Sequence, residues 1–123
     1  MNDDMNGDEM ATAMDDCIDW CTSCHDVCTQ TVNYCLGMGG EHAAQEHVRL
    51  LLDCAEICKT SADFMLRESP LHGVTCNACA EVCERCAESC ERFPDDEVMR
   101  ACAETCRGCA QSCREMARMA HVA

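Results

Sequence analysis

Sixteen of the 123 residues are cysteines, and they recur along the chain at regular intervals. In three segments, successive cysteines are separated by alternating steps of three and four residues, which places them on one face of an α-helix. Side chains three or four residues apart meet on a helix surface, so neighbouring thiols can bind the same metal ion. The segments contain Cys17, Cys21, Cys24, Cys28 and Cys35; Cys76, Cys79, Cys83, Cys86 and Cys90; and Cys102, Cys106, Cys109 and Cys113, while a fourth segment adds Cys54 and Cys58.

The composition separates these cysteines from the disulfides of small secreted proteins. The first ten residues, MNDDMNGDEM, are acidic and polar, whereas a secretory signal peptide has a basic start and an apolar stretch. The rest of the chain is rich in residues that favour helix rather than in loops that need covalent cross-links. In the cytosol, glutathione and thioredoxin keep thiols reduced, so a cysteine pattern there indicates metal binding or catalysis. We therefore expect a cytoplasmic protein with reduced thiols.

Charge and hydropathy exclude two classes of partner. Asp and Glu number 23 against 9 Lys and Arg, which leaves no basic surface for a nucleic acid backbone. No apolar run approaches the ~20 residues that are needed to span a bilayer. We expect neither nucleic acid nor a membrane as a partner.

A helix face lined with thiols suits Cu(I) better than it suits other metals. Soft thiolates select Cu(I), Zn(II) and iron–sulfur clusters. A zinc site takes four thiolates, so the cysteines would hold only about four zinc ions. Cu(I) accepts two or three sulfurs and allows them to bridge, which gives a capacity of roughly one ion per cysteine. The ferredoxin cysteine motif and the Glu-x-x-His motif of di-iron bundles are absent from the sequence.

Two other interpretations of the cysteines stay open. A zinc or mixed-metal thiolate buffer would use the same helix faces with fewer ions. A disulfide-stapled helical interaction module would instead join Cys-x3-Cys segments across antiparallel helices. Cysteine as simple core filler is disfavoured, because a thiol buries much less apolar area than leucine at ~25 cal/mol per Å².

Glycine and proline mark the ends of four helical segments. Gly39 and Gly40 follow the first cysteine run, Pro70 follows the second and Pro94 the third. The short connections favour antiparallel neighbours. The sequence therefore predicts an all-α protein, an antiparallel up-down four-helix bundle with a Cys-lined core. Because the second helix contributes only Cys54 and Cys58, we expect metal to collect toward the other three helices. The predicted bundle covers residues 9–123 with helices at about 9–36, 42–68, 74–92 and 96–120, preceded by a disordered acidic tail at residues 1–8.

Bulky side chains flank the inward face on the first two helices at intervals of seven residues. They complete the core face and seal the bundle, or they form an interface between subunits. The corresponding positions of the third and fourth helices are mostly small. The flanking residues are Trp20, Val27 and Tyr34 on the first helix and Leu50, Ile57 and Phe64 on the second.

Methionine and histidine extend the inward faces at both ends of the predicted bundle. Thioethers are soft ligands that bind more weakly than thiolates, which suits a site where ions are taken up, although core packing is the alternative for each methionine. His47 lies at the opposite end and could close the row of thiols there. His25 lies off the inward face, and both it and His42 are predicted to be non-ligands. The possible ligands at the first end are Met10, Met14, Met65, His72 and Met116.

The cysteine motifs resemble those of one protein family. Cys-x3-Cys-x2-Cys-x3-Cys in the first helix, Cys54-x3-Cys58 in the second, CNACAEVCERCAESC in the third and CAETCRGCAQSC in the fourth are similar to the bacterial copper storage proteins over about residues 10–120. The resemblance implies a homotetramer of bundles, with cores that fill with Cu(I) through an end lined by His or Met. It also implies the cytosolic branch of the family and a non-enzymatic store, with a copper chaperone as a possible partner.

Overall fold

The computed structural model describes residues 7–120, which form four α-helices and one short 3-10 helix. Each α-helix packs against two others, so that α1 and α3 both contact α2 and α4. Within residues 7–120, the Cα atoms of the two diagonal helix pairs stay more than 8 Å apart, which leaves a central space for side chains from all four helices. The predicted antiparallel four-helix bundle is confirmed. The helices are α1 (Gly7–Met38), α2 (Gln45–Leu66), α3 (His72–Cys90) and α4 (Glu97–Ala120), with the 3-10 helix at Gly40–Ala43 between α1 and α2.

The helix ends differ from the predicted ones by a few residues. Helix α1 begins at Gly7, so residues 7 and 8 of the predicted tail are helical, and the acidic side chains of Asp8 and Glu9 suit the positive end of the helix dipole. The remainder of the predicted tail, residues 1–6, lies outside the described residues. After α1, Gly39 and Gly40 have φ values of 72° and 56°, a left-handed backbone that glycine adopts at little cost.

Helix α2 ends two residues before its predicted limit at residue 68. Glu68 has a φ of 54°, which is the left-handed conformation. Its N–H donates to the carbonyl of Met65 at 2.9 Å, and the N–H of Ser69 donates to that of Phe64 at 2.9 Å. This pair of bonds is the Schellman motif, which usually places glycine at the left-handed position. The sequence did not reveal this end, because the position holds glutamate.

Cysteine provides most of the buried core. All sixteen cysteine side chains have no exposed surface. The larger apolar side chains that are fully buried with them are Leu51, Met65, Met99 and Met116, and small alanines fill the remaining space. The prediction of a Cys-lined core is therefore confirmed. None of the helices between residues 7 and 120 combines the length and the apolar character that crossing a membrane requires.

Trp20 covers the contact between α1 and α4. A Cβ atom added to Gly108 would collide with the Trp20 ring, so the indole occupies the space that a side chain at this position of α4 would need. Trp20 nevertheless keeps 40% of its surface exposed, and Val27, Tyr34 and Ile57 pack against the core. Within one chain, these three residues therefore help to seal the bundle, as the first of the two interpretations proposed.

Asp96 joins three elements at the end of the bundle where α4 begins. Its Oδ1 accepts hydrogen bonds from the N–H groups of Val98 at 2.9 Å and Met99 at 3.1 Å, which caps α4. Its Oδ2 accepts the hydroxyl of Tyr34 at 2.7 Å and lies 3.0 Å from Nε2 of His42. Burial alone would raise the pKa of this carboxyl, but the hydrogen bonds outweigh it and hold the pKa below its usual value. Asp96 thus fastens α1 and the 3-10 helix to the start of α4.

We expect the Asp96→Ala substitution to lower the free energy of unfolding of the reduced, metal-free protein by about 2 kcal/mol, the upper part of the range for loss of a helix cap. This decrease in unfolding free energy includes the loss of the contacts that Tyr34 and His42 make with the Asp96 carboxylate. Urea unfolding followed by circular dichroism measures the change. Asp95→Ala is the matched control, because it removes the same charge from an adjacent exposed position. Equal effects of the two substitutions would contradict the proposed role of Asp96.

Candidate metal centre

Among residues 7–120, twelve of the sixteen buried thiols fall into four groups, each able to hold a metal ion. Within a group, all sulfur atoms lie within 4.8 Å of one another. Every group combines side chains from at least three helices, which is possible because the four cysteine faces meet along the bundle axis. The groups are Cys17, Cys76 and Cys113; Cys21, Cys79, Cys109 and Cys113; Cys24, Cys58, Cys83 and Cys109; and Cys24, Cys28, Cys54 and Cys106.

Shared cysteines connect the four groups into one continuous array. Cys24, Cys109 and Cys113 each belong to two groups. The contacts between sulfur atoms include 3.4 Å for Cys21 and Cys113 and 3.9 Å for Cys24 and Cys28. These are contacts between free thiols, and all sixteen cysteines are free. A metal ion in one group would therefore share ligands with an ion in the next.

The two cysteines of α2 contribute more than the sequence suggested. The sequence predicted that metal would collect toward the three cysteine-rich helices. Cys54 contacts sulfur atoms of Cys24, Cys83 and Cys106 at 3.8, 3.6 and 3.9 Å, which lie on all three of those helices. Cys58 likewise contacts α3 and α4, through Cys83 at 3.6 Å and Cys109 at 3.8 Å. Helix α2 thus completes two of the four groups, so the possible metal ligands are distributed over the four helices more evenly than predicted.

Hydrogen bonds between thiols alter their acidity. Donation from Cys109 and Cys113 lowers the pKa of Cys21 to about 6. At one end of the core, burial raises the pKa of Cys35 to about 11, helped by the charges of Cys102 and Asp96. Because Cu(I) and Zn(II) bind the thiolate, metal binding must release the proton that a thiol such as Cys35 holds at neutral pH.

The raised pKa of Cys35 makes the stability of the metal-free protein depend on pH. The folded protein keeps the thiol proton up to about pH 11, whereas the unfolded chain loses it near the ordinary value of 9.0. The contribution of this thiol to stability is therefore complete below pH 9 and is lost as the pH rises toward 11. We expect the difference in unfolding free energy between the wild type and Cys35→Ala to shrink over this interval in anaerobic urea titrations. A difference that stays constant or grows would contradict the raised pKa.

The possible ligands predicted for the first end of the bundle lie at one end of the core, which we call the methionine end. They are Met10, Met14, Met65, His72 and Met116. The first four of them line one groove of about 470 Å³. The thiol of Cys76 donates to Sδ of Met65 at 3.8 Å, which connects this groove to the thiol array. Met116 is buried and lines a neighbouring groove beside Trp20 and Met119. The structure therefore places the five residues at one end, with four of them around a single groove.

His72 has the orientation of a metal-binding histidine. Its Nδ1–H can donate to the carbonyl of Ser69 at 2.8 Å, which leaves the lone pair on Nε2. Nε2 is buried and has no hydrogen-bond partner among residues 7–120. An unpartnered buried nitrogen is costly, so the free lone pair is consistent with a ligand in the adjacent groove.

The histidine end, defined by Cys35, His47 and Met99, lies at the opposite end of the core. Nε2 of His47 lies 3.5 Å from Sγ of Cys35, and the Cys35 thiol donates to Sδ of Met99 at 3.6 Å. Burial and the charge of Arg92 lower the pKa of His47, which favours its neutral imidazole. The sequence reasoning identified His47 but missed Met99. Met99 precedes Cys102 by three residues, so the spacing places it on the same inward face but does not distinguish a ligand from core filler.

The two histidines predicted to be non-ligands have protein partners. Nδ1 of His25 lies 2.8 Å from the carbonyl of Ala55. His42 contacts Asp96 and lies against Phe93, with ring centroids 4.2 Å apart. Both side chains connect α1 or the 3-10 helix to a neighbouring element, which gives each a structural role.

Comparison with known proteins gives a family match over most of the chain. The family model described as copper storage protein matches residues 10–118. The cysteine-rich protein YhjQ of Bacillus subtilis (strain 168) is 35% identical over 66 residues, which is 54% of this chain and 61% of that relative. The match thus spans about three fifths of the length of this curated relative.

Two solved structures share the fold and a substantial part of the sequence. The Cu(I)-bound copper storage protein BsCsp3 of Bacillus subtilis has a TM-score of 0.80 and 33% identity, with 85% of this chain and 98% of that chain covered. A cytosolic copper storage protein from Streptomyces lividans, in a copper-loading structure with five coppers, has a TM-score of 0.84 and 32% identity, with 91% and 98% covered.

Proposed function

This chain belongs to the copper storage protein family, and from that membership and the geometry of its core we propose that it stores or sequesters many Cu(I) ions. The observation that carries the proposal is the continuous array of buried, free thiols, in which four groups share ligands. Soft thiolates select Cu(I), and the shared ligands suit an ion that accepts two or three bridging sulfurs. We propose a store without catalytic residues.

Charge balance makes a large buried store possible. Each thiol that binds Cu(I) releases one proton, so a positive charge replaces a positive charge and no net charge accumulates in the core. If every thiolate bridges two ions and every ion takes two thiolates, the capacity is roughly one Cu(I) per cysteine. We propose all sixteen cysteines as ligands.

We propose that copper is taken up at the methionine end. The groove lined by Met10, Met14, Met65 and His72 is accessible from outside, and Met65 contacts Cys76 of the first thiol group. Neutral thioether and imidazole ligands bind Cu(I) more weakly than thiolates, so an ion bound here can pass to the core. Met116 would extend this path beside Cys113.

The cellular setting is also part of the proposal. The cytosolic description of the Streptomyces lividans structure supports a cytoplasmic location. The resemblance to the family supports a homotetramer, and a copper chaperone is the proposed protein partner. The acidic balance of 23 Asp and Glu against 9 Lys and Arg favours a basic surface on such a partner.

A metal competition tests the proposal against its two rivals. Reduced protein is offered Cu(I) and Zn(II) together under anaerobic conditions, and the bound metals are measured after gel filtration. We expect many Cu(I) ions and little zinc. Binding of about four Zn(II) ions in preference to Cu(I) would instead support the zinc buffer. A thiol count made without reductant completes the test, because few free thiols would support the disulfide-stapled module.

A further inference from the structure

One of the four thiol groups differs from the others in its number of ligands. It contains Cys17 of α1, Cys76 of α3 and Cys113 of α4, whereas the other three groups found among residues 7–120 contain four thiols each. Its three sulfur atoms lie within 4.8 Å of one another, and those of Cys17 and Cys113 are 3.7 Å apart. All three side chains are fully buried. This three-thiol group can therefore hold one atom through ligands from three helices.

Helix α2 supplies a hydroxyl at this level of the core instead of a fourth thiol. Ser61 follows Cys58 by three residues on the inward face, and its side chain is fully buried. Its Oγ lies 3.3 Å from Sγ of Cys76. The Cys76 thiol also donates to Sδ of Met65 at 3.8 Å. The neighbours that α2 provides for Cys76 are thus a neutral hydroxyl and a neutral thioether.

The charge of three thiolates determines which ion the three-thiol group holds at least cost. Uncompensated buried charge is costly, and no lysine or arginine is buried among residues 7–120 to compensate it. Three thiolates around Zn(II) keep a net negative charge, and zinc also prefers a fourth ligand. Around Cu(I) they reach neutrality only when further ions share them. Around a trivalent ion they are neutral without any sharing, so a soft trivalent element fits this group best.

We propose that the three-thiol group binds trivalent arsenic, taken up as arsenous acid. Arsenic(III) forms three bonds in a pyramid and keeps a lone pair at the fourth position, so it needs no fourth ligand. Each of the three thiols gives its proton to one arsenic-bound hydroxyl, three As–S bonds replace three As–O bonds, and three water molecules leave. Arsenic stays trivalent, so neither an oxidant nor a reductant takes part. This binding does not depend on the storage of copper, although both use the same thiols.

The methionine end gives arsenous acid a path to the three-thiol group. Arsenous acid is small and uncharged at neutral pH, so its entry brings no charge into the core. Met65 lines the accessible groove of about 470 Å³ and also contacts Cys76. Because copper would occupy the same thiols, we expect arsenic to bind the metal-free protein and to be excluded from the copper-loaded protein.

X-ray absorption at the arsenic edge, combined with native mass spectrometry, tests the site. Reduced, metal-free full-length protein is mixed anaerobically with one equivalent of sodium arsenite. We expect one arsenic per chain, bound by three sulfur atoms and no oxygen. Cys17→Ala and Cys76→Ala should each lower the affinity for arsenic by at least about tenfold, because the third bond within one site adds affinity at little further association cost.

Cys86→Ala and Cys90→Ala are the matched controls. Both cysteines are fully buried on α3, but neither belongs to the four thiol groups found in residues 7–120. Each control keeps as many thiols as Cys17→Ala or Cys76→Ala does, and it should bind arsenic as tightly as the wild type. Circular dichroism of each metal-free variant establishes that it is folded.

Each outcome supports or overturns the arsenic site. A wild-type protein that binds no arsenic, or that binds it through oxygen, would overturn it. Equal arsenic affinity in all four variants would also overturn it, because the arsenic would then depend on no particular thiol group. A Cu(I) titration of the same sample separates this proposal from the copper store. Arsenic bound at the three-thiol group with only a few Cu(I) ions taken up would sustain the arsenic site while the copper store fails, and a copper-filled core with no arsenic binding would do the reverse.

Discussion

Loading the reduced chain with Cu(I) should raise its thermal unfolding midpoint by about 20 °C or more. The ligands of each ion come from at least three helices, so the ions bind the folded chain far better than the unfolded one. Binding to the folded state alone adds about 4 kcal/mol per ion when the free ion exceeds its Kd a thousandfold. A few ions are therefore enough to produce a shift of this size. Circular dichroism melts of metal-free and loaded protein, recorded anaerobically, measure it.

Reversal of the shift is the control for this prediction. A strong Cu(I) chelator added in excess should return the midpoint to that of the metal-free protein. A midpoint that is unchanged by loading would show that copper binds outside the folded core, for example on partly unfolded chains, and would contradict the account.

Removal of one shared thiol should cost more than one ion. Cys109 belongs to two thiol groups and contacts Cys21, Cys58 and Cys113 at 3.8, 3.8 and 4.0 Å. We expect Cys109→Ala to lose about two or more Cu(I) ions per chain, because bridging thiolates serve more than one ion. Alanine is preferred to serine, since it adds no buried hydroxyl that lacks a partner. The number of ions retained after gel filtration is the measurement.

Cys90→Ala is the matched control. Cys90 is also fully buried, but it lies outside the four thiol groups found in residues 7–120. We expect its loss to remove about one ion. Equal losses for Cys109→Ala and Cys90→Ala would show that ions in neighbouring groups do not share Cys109 as a ligand. Both variants should remain helical without metal, because each removes only one small buried side chain.

The sequence predicted the features that follow from periodicity. The alternating steps of three and four residues placed every cysteine on an inward helix face, and the structure buries all of them completely. The number of helices and their antiparallel order followed from the glycines and prolines between the helical segments and from the short connections. The family resemblance, based on the same cysteine motifs, is confirmed by the match over residues 10–118.

Features that depend on contacts between helices could not be predicted in the same way. Asp96 looked like an ordinary residue near a helix start, and only the packed bundle brings Tyr34 and His42 to its carboxylate. Likewise, Cys54 and Cys58 looked like a minor contribution when counted along α2. Their importance arises because they face thiols from the other three helices.

Met99 and Glu68 show two further limits of prediction from the sequence. Met99 continues the inward face of α4, but one methionine at helical spacing has no signal that distinguishes a ligand from core filler. Its position beside Cys35 becomes visible only when α1 and α4 are packed together. Glu68 takes a left-handed conformation that sequence analysis assigns to glycine, so the end of α2 was placed too late.

An anaerobic Cu(I) titration in the presence of bicinchoninate measures how much copper the buried thiols can hold. The coloured Cu(I)–bicinchoninate complex appears only when the protein can no longer compete for copper. We expect this colour to stay absent until about one ion per cysteine has been added, that is about sixteen per chain. Colour that appears before about four ions per chain have been added would contradict the claim that the buried thiols form a copper store.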